Sequence, residues 1–413
     1  MHDGQAAQRV WVETVKLTRF RNYASLSLTT DPRHVVLTGE NGAGKTNLLE
    51  ALSLLSPGRG LRRAPYDRLA KVAAASDAPM ANGDDKSADG TPGSDGADGA
   101  DGTLGTWATN ITVHGTVGAV AIGTGLAPTP SGEMQRRTRI NKAPVKSIDS
   151  VQDHARVLWL TPAMDGLFTG SSGDRRRFLD RMVLATDPRH GRRVTAYERA
   201  MRSRNRLLED RNADRTWLDG IEAEMASLGV EIAFARRQLT EALSDIIDQG
   251  DEDAFPAASL ALEGVLEEQA SDEAMLDDLG AHVRDLLCRS RPRDSAAGRT
   301  LEGPHRTNLA VRHRPKDMDA AVCSTGEQKA LLTGLILAHV QLTSKMSGMT
   351  PILLLDEIAA HLDGHRRAAL FNRLDAMNCQ AWMTGTDEHL FEALGDRAQR
   401  FTVADGTVAR GNP

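Results

Sequence analysis

Residues 39–46 read Gly-Glu-Asn-Gly-Ala-Gly-Lys-Thr, the spacing of a P-loop that cradles the phosphates of a nucleoside triphosphate. Gly39, Gly42 and Gly44 let backbone N–H groups turn toward an anion, with Glu40, Asn41 and Ala43 completing the turn between them. Lys45 is the cation for the β- and γ-phosphates, and Thr46 offers a hydroxyl to Mg²⁺ at a helix start where anions are already favoured. Far downstream, the apolar run 352–355 ends in Asp356-Glu357. A carboxylate at Asp356 can hold Mg²⁺ through water, and Glu357 can orient or deprotonate the attacking water. Lys45 and Glu357 are therefore the expected catalytic pair. A third element, Ser324, Thr325 and Gly326, precedes the helical run EQKALLTGLILAHV. Its plain reading is an N-cap. It is also an anion site, and one chain has no need of a second, which points to a second copy closing over the nucleotide.

These residues need elements to hold them. Residues 12–17 and 26–28 read as strands around the turn RFRNYAS, and 34–37 form a short apolar strand feeding the P-loop. Helical spacing of apolar residues begins at Lys45, so strand, loop and helix follow in the order a P-loop requires. Residues 76–106 are almost without large apolar side chains and rich in Gly, Asp, Ala and Ser, which predicts a disordered acidic insertion. Short strands resume beyond it. Residues 172–290 carry apolar groups at three- and four-residue spacing broken by turns, which predicts a compact helical arm rather than a long coiled coil. From 300 onward short segments return, with a final strand expected at 381–386. The expected architecture is an α/β P-loop ATPase head. It comprises a first lobe over 1–170, a helical second lobe over 171–298, and a C-terminal ATPase part over 299–413.

With 413 residues the chain can bury a large core. Its net charge of −6 excludes a globally basic nucleic-acid binder, so any DNA contact must come from a local patch. Such a patch exists in the sequence: thirteen arginines against seven acidic residues lie between 171 and 215, with Arg175, Arg176, Arg177, Arg192, Arg193, Arg202, Arg204 and Arg206 prominent. A solvated helix face would look the same, and scarce aromatics argue against base stacking. Cys288, Cys323 and Cys379 form no paired framework, as expected of reduced thiols in a cytoplasmic protein. No apolar leader opens the chain and no apolar stretch reaches the ~20 residues needed to span a bilayer, so no membrane partner is expected.

Several strings together resemble the RecF family, bacterial recombination-mediator ATPases with an ABC-type head related to the structural-maintenance-of-chromosomes proteins. They are FRNY at 20–23, GENGAGKTNLLEA, LTPAMDGLFTGSSGDRRRFLD at 160–180, GPHRTNL at 303–309, STGEQKALL and LLLDEIAAHLD. The likeness spans nearly the whole chain apart from the acidic insertion. It implies that 39–46 are Walker A, that Asp356 and Glu357 are Walker B, that 324–329 are the signature, and that His361, Leu362 and Asp363 are the D-loop. No glutamine stands at 160–162 for a Q-loop, and Thr384-Gly385-Thr386 replace the usual switch histidine. The resemblance further implies ATP-dependent dimerisation, slow hydrolysis, sequence-nonspecific binding of gapped, single- or double-stranded DNA, cooperation with RecO and RecR, and support of the SOS response. A transporter ATPase subunit shares the three motifs, but the interval from Thr46 to Ser324 is too long for one.

Overall fold

The structure is a computed structural model and describes residues 7–71, 106–115, 117–210, 214–250, 254–270 and 272–411. The acidic insertion expected at 76–106 lies, except for Thr106, outside the described residues. In chain order, β1 (Trp11–Phe20), β2 (Tyr23–Thr29) and β3 (His34–Thr38) lead into α1 (Lys45–Ser53). A meander of β4 (Trp107–Gly115), β5 (Gly118–Pro128), β6 (Met134–Ile140) and β7 (Ala143–Pro144) precedes β8 (Val157–Leu160). Next come α2 (Ser172–Thr186), α3 (His190–Glu209), α4 (Arg215–Asp248), β9 (Ala258–Glu263), α5 (Val265–Gln269) and α6 (Leu276–Ala297). The chain closes with β10 (Asn308–His313), β11 (Met318–Asp319), α7 (Thr325–Ser347), β12 (Ile352–Leu355), α8 (Gly364–Ala376), β13 (Ala381–Gly385), β14 (Ala398–Ala404) and β15 (Thr407–Arg410).

Two sheets of opposite character share one core. The first, ordered β2-β1-β4-β5-β6-β7, is antiparallel. Its strands β4 and β5 alternate buried and exposed positions, as a sheet with one wet face must. The second is ordered β15-β14-β3-β13-β12-β8, and all its pairings are parallel except β14 with β15. Every residue of β3, β8, β12 and β13 is buried, which is why they read as unbroken apolar runs rather than alternations. Gln380 ties the sheets together. Its carbonyl accepts from the Val12 backbone N–H at 2.9 Å and its amide donates to Asp31 O at 2.9 Å. The strand expected at 381–386 is not the last. β14 and β15 follow as a hairpin whose Asp405-Gly406 turn has both φ angles positive, 46° and 73°, the conformation that favours this dipeptide.

The arm is helical with one exception. Strand β9 lies inside it and pairs with β10 beyond residue 299, forming the three-stranded sheet β11-β10-β9. A second apolar cluster, including Tyr197, Ile221, Met225, Val230 and Leu287, holds α3, α4 and α6 together. Arg204 sits among them with no exposed surface, and all five of its donors are satisfied. It reaches Glu222 at 2.8 Å, Asp294 at 2.7 Å, Thr300 at 2.8 Å and the carbonyl of Leu287 at 2.8 Å. The sequence grouped Arg204 with candidate DNA contacts; its burial assigns it to the arm's interior instead. Arg175 and Arg176 are likewise turned inward, donating to Asn308 Oδ1 at 2.8 Å and to Thr307 O at 2.7 Å. Among the described residues no helix is long and apolar enough to cross a membrane.

Arg204→Met should therefore lower the stability of the chain by about 3–5 kcal/mol in urea unfolding, because it leaves the buried Asp294 without its cation and takes one of two arginines from Glu222. Arg202→Gln removes only an exposed pair with Glu198 at 3.7 Å and should cost less than about 1 kcal/mol.

Candidate nucleotide site

The parallel strands all end on the same edge, and their order decides which side chains meet there. The P-loop follows β3, the acidic pair follows β12, and β13 runs between them. Thr46 Oγ1 donates to Asp356 Oδ1 at 2.9 Å across 310 residues of sequence. Thr384, near the end of β13, donates to the same oxygen at 2.7 Å and accepts the Glu357 backbone N–H at 2.9 Å. One hydroxyl thus fixes both the carboxylate and the peptide that follows it. Asp356 Oδ2 makes no hydrogen bond among the described residues and is left for a cation or water. Glu357 is held in the left-handed region at φ 55°, which costs a residue with a side chain about 1–2 kcal/mol.

Lys45 is buried, and its ammonium donates to the carbonyls of Gly39 at 2.6 Å and Glu40 at 2.8 Å, closing the loop on itself. Burial pulls its pKa below the usual lysine value, while Glu357 and then Asp356 pull it back up. The loop is braced from outside by the FRNY turn. The Tyr23 hydroxyl donates to Gly44 O at 3.0 Å, Asn22 Nδ2 to Ala43 O at 2.9 Å, and Asn47 Nδ2 to Asn22 Oδ1 at 2.7 Å. Arg21 grips Glu50 of α1 with two hydrogen bonds of 2.8 and 2.7 Å. Gly39 and Gly44 have no substitute. A Cβ on Gly39 would lie 2.2 Å from Val403 O, and one on Gly44 would lie 2.9 Å from the Tyr23 hydroxyl. The oxygen donors at Thr46 and Asp356 suit a hard divalent cation such as Mg²⁺.

Thr46, Asp356 and Glu357 line a cavity of about 650 Å³ together with Thr161, Met164, Leu167 and Arg181. Ser324, Thr325 and Gly326 are not among its lining residues and are exposed. Ser324 caps α7 in a reciprocal box. Its N–H and hydroxyl each donate to Glu327 Oε2 at 2.9 Å, and its hydroxyl accepts the Glu327 N–H at 3.4 Å. Lys316, then the Ser324 groups, hold the Glu327 carboxyl down at about 2. The N-cap reading of Ser324 is thus correct, and it leaves the N-terminal amides of α7 facing solvent. Asp363 caps α8 in the same way, accepting the Arg366 N–H at 2.8 Å. Sequence reasoning placed Thr384 where a switch histidine would stand but missed its contact with Asp356, because nothing in a single sequence says that β13 inserts between β3 and β12. It also missed the Asp405-Gly406 turn, whose backbone N–H at Gly406 donates to Ala43 O at 3.3 Å. The dipeptide between two alternating segments was a readable hairpin signal.

A P-loop strand and an Asp-Glu strand separated by one intervening strand, beside a long helix capped at Ser324, define an ABC-type ATPase head. The protein "DNA replication and repair protein RecF" of Allorhizobium ampelinum is 53% identical over 404 residues, covering 98% of this chain and all of that one. The RecF of Rhizobium etli is 54% identical over 403 residues, covering 97% and 99%. The chain belongs to the RecF family. Among solved structures, the recombination mediator RecF with ATP, of the RecFOR pathway, superposes with a TM-score of 0.78 at 19% identity, covering the whole of both chains. An Smc head bound to the C-winged helix domain of ScpA gives 0.51 at 14% identity, covering 97% of each. These two establish the fold. No protein-family model matches the chain.

Thr384→Val removes the hydroxyl that both Asp356 and Glu357 lean on, at almost constant volume. Turnover of ATP should fall by about tenfold or more, with nucleotide affinity changed far less. Steady-state hydrolysis and equilibrium binding on the same preparation check it.

Proposed function

We propose that this chain is an ATP-dependent DNA-binding protein of replication and recombinational repair, dimerising on ATP at single-strand gaps or single-/double-strand junctions. The observation that carries the reading is the hydrogen bond between Thr46 and Asp356, which joins the two ends of the nucleotide motif into one oxygen-lined edge. Gly39, Glu40, Asn41, Gly42, Ala43 and Gly44 cradle the phosphates and Lys45 neutralises the β- and γ-oxygens as charge moves toward the leaving group. Mg²⁺, where Thr46 and Asp356 would hold it, supplies Lewis-acid neutralisation of the same oxygens. Glu357 orients the attacking water and takes its proton.

The Ser324 hydroxyl and the α7 amides of Thr325 and Gly326, all in exposed residues, complete the site of a second copy. ATP binding then drives association, and hydrolysis releases the partners. The ATPase is weak and stimulated by DNA. DNA is held without sequence preference by the arginines the arm leaves at its surface, Arg189, Arg199, Arg202 and Arg206, all exposed. By its family the chain acts in the cytoplasm with RecO and RecR, helping to load recombinase and supporting the SOS response. The repair setting draws its support from the relatives, DNA replication and repair proteins, and the nucleotide steps from the site's geometry.

Glu357→Gln keeps the shape of the metal edge and removes the base, so a dimer should form with ATP and persist. Ser324→Arg should leave ATP binding by the monomer nearly intact and abolish dimerisation and most hydrolysis. Sedimentation velocity with ATP and with ADP reads both. A Glu357→Gln variant that stays monomeric at saturating ATP rules the dimer out.

A further inference from the structure

The first turn of α7 carries one carboxylate, and it stands beside the groups that a partner's phosphate would need. Glu327 Oε2 accepts both the N–H and the hydroxyl proton of Ser324 at 2.9 Å. A serine hydroxyl has one proton to donate, so while Glu327 holds it Ser324 has none for a phosphate oxygen. The positive end of a helix favours an anion, and here the carboxylate already sits in it. Taken alone, Glu327 would oppose the composite site that Ser324, Thr325 and Gly326 are fit to complete.

The compensating charge comes from outside the helix. Lys316 Nζ donates to Glu327 Oε1, the oxygen that Ser324 leaves free. Lys316 lies in the turn between β10 and β11, and that turn is fastened on both sides. Arg312 donates to Asp317 O at 2.7 Å and to Asp317 Oδ1 at 3.0 Å. Arg314 pairs with Asp248, the last residue of α4, at 2.6 Å, and its N–H donates to Ala257 O at 2.9 Å. Lys329, the next cation along α7, is occupied by Asp165 at 3.0 Å. Among the described residues, Lys316 is the one cation that pairs with Glu327. It links the end of α4, through a short turn, to the serine that caps α7.

We propose that Lys316 is a positioning residue for the composite site: it neutralises Glu327, so that the start of α7 can accept the terminal phosphate held by a second copy. The inference rests on the dimer reading above and deepens it. With Lys316 in place the charges of the pair cancel, and the first amides of α7 attract the incoming anion. As that phosphate arrives, Lys316 keeps the carboxylate by Oε1 while the Ser324 hydroxyl proton turns from Oε2 to the phosphate. Without Lys316 the phosphate meets an uncompensated carboxylate, and like charges repel. Because Lys316 sits on a turn fastened to α4 and β9, a shift of the arm would reach Ser324 through it.

The test is sedimentation velocity of the full chain over a range of concentrations, with Mg²⁺ and a saturating, slowly hydrolysed ATP analogue, read as the monomer–dimer dissociation constant. The wild type is compared with Lys316→Met, Lys316→Arg and Glu327→Gln, and each protein is also melted without nucleotide. Lys316 is exposed, and a glutamine at 327 still accepts the Ser324 N–H, so both changes keep the N-cap. They break the same ion pair, yet they should act in opposite directions. Lys316→Met should weaken the dimer about fivefold or more and Glu327→Gln should tighten it about fivefold, with Lys316→Arg within about twofold of wild type. Added salt should shrink both shifts. A pair that only stabilises the local fold would move both variants the same way. That result, or no change in either, would overturn the assignment while leaving the dimer standing. A wild type that stays monomeric with the saturating analogue would overturn the dimer reading and this inference with it.

Discussion

One oxygen atom organises this head. Asp356 Oδ1 accepts hydrogen bonds from Thr46 at 2.9 Å and Thr384 at 2.7 Å, and those three residues come from the helix that follows β3 and from the ends of the parallel strands β12 and β13. For them to meet, β13 must lie between the P-loop strand and the Asp-Glu strand, and all must run in one direction. Parallel strands need buried faces on both sides. The antiparallel sheet and the long apolar helix α7, which shares the head's core, help to meet that need. The arm is inserted into the chain between β8 and β12, which pair at one edge of the parallel sheet.

The same constraint explains the odd features around the loop. A P-loop turns its own amides inward and so leaves carbonyls on its outer side. Here the carbonyls of Ala43 and Gly44 are capped by Asn22 and Tyr23, and those of Gly39 and Glu40 by Lys45. The FRNY turn is therefore a brace for the loop, delivered by a hairpin of the neighbouring sheet, with the side chain of Tyr23 wholly buried. Its hydroxyl is held in the neutral form, since burial raises its pKa. The positive φ angles at Arg19 and Arg21, 51° and 54°, mark how tightly that turn is wound.

Local pattern carried much of this. The P-loop, the strand before it, the helix after it and the acidic pair were legible because each is a contiguous string with its own period. The signature's N-cap was legible for the same reason. Neighbourhood in the sheet was not: Thr384 reads only as lying where a switch histidine would stand, and its contact with Asp356 appears once β13 is set beside β12. Charge was the least readable property. Arg204, Arg206 and Arg202 share one helix at two-residue spacing, yet the first is wholly buried in a carboxylate network and the other two are exposed. Helical phase separates them, and only the packing of α3 on α4 and α6 fixes that phase. GPHRTNL belongs to the same group of tertiary facts. Pro304 O accepts from Arg236 at 2.6 Å and Thr307 Oγ1 donates to Glu267 at 2.5 Å, so the string seals the arm's polar interior.

The central claim is a composite site: the Walker edge of one copy completed by the α7 amides of another. Mixing two inactive variants tests it most directly. A Lys45→Met chain keeps its signature, and a Ser324→Arg chain keeps its Walker edge. In the mixed dimer one site combines both intact halves, while the substituted Arg lies opposite an edge that holds no nucleotide. If the account is correct, an equimolar mixture recovers up to about a quarter of wild-type ATP turnover, as random pairing in a two-fold dimer allows. If the mixture stays as inactive as its two components, the intact halves do not complement each other across copies and the composite site does not exist.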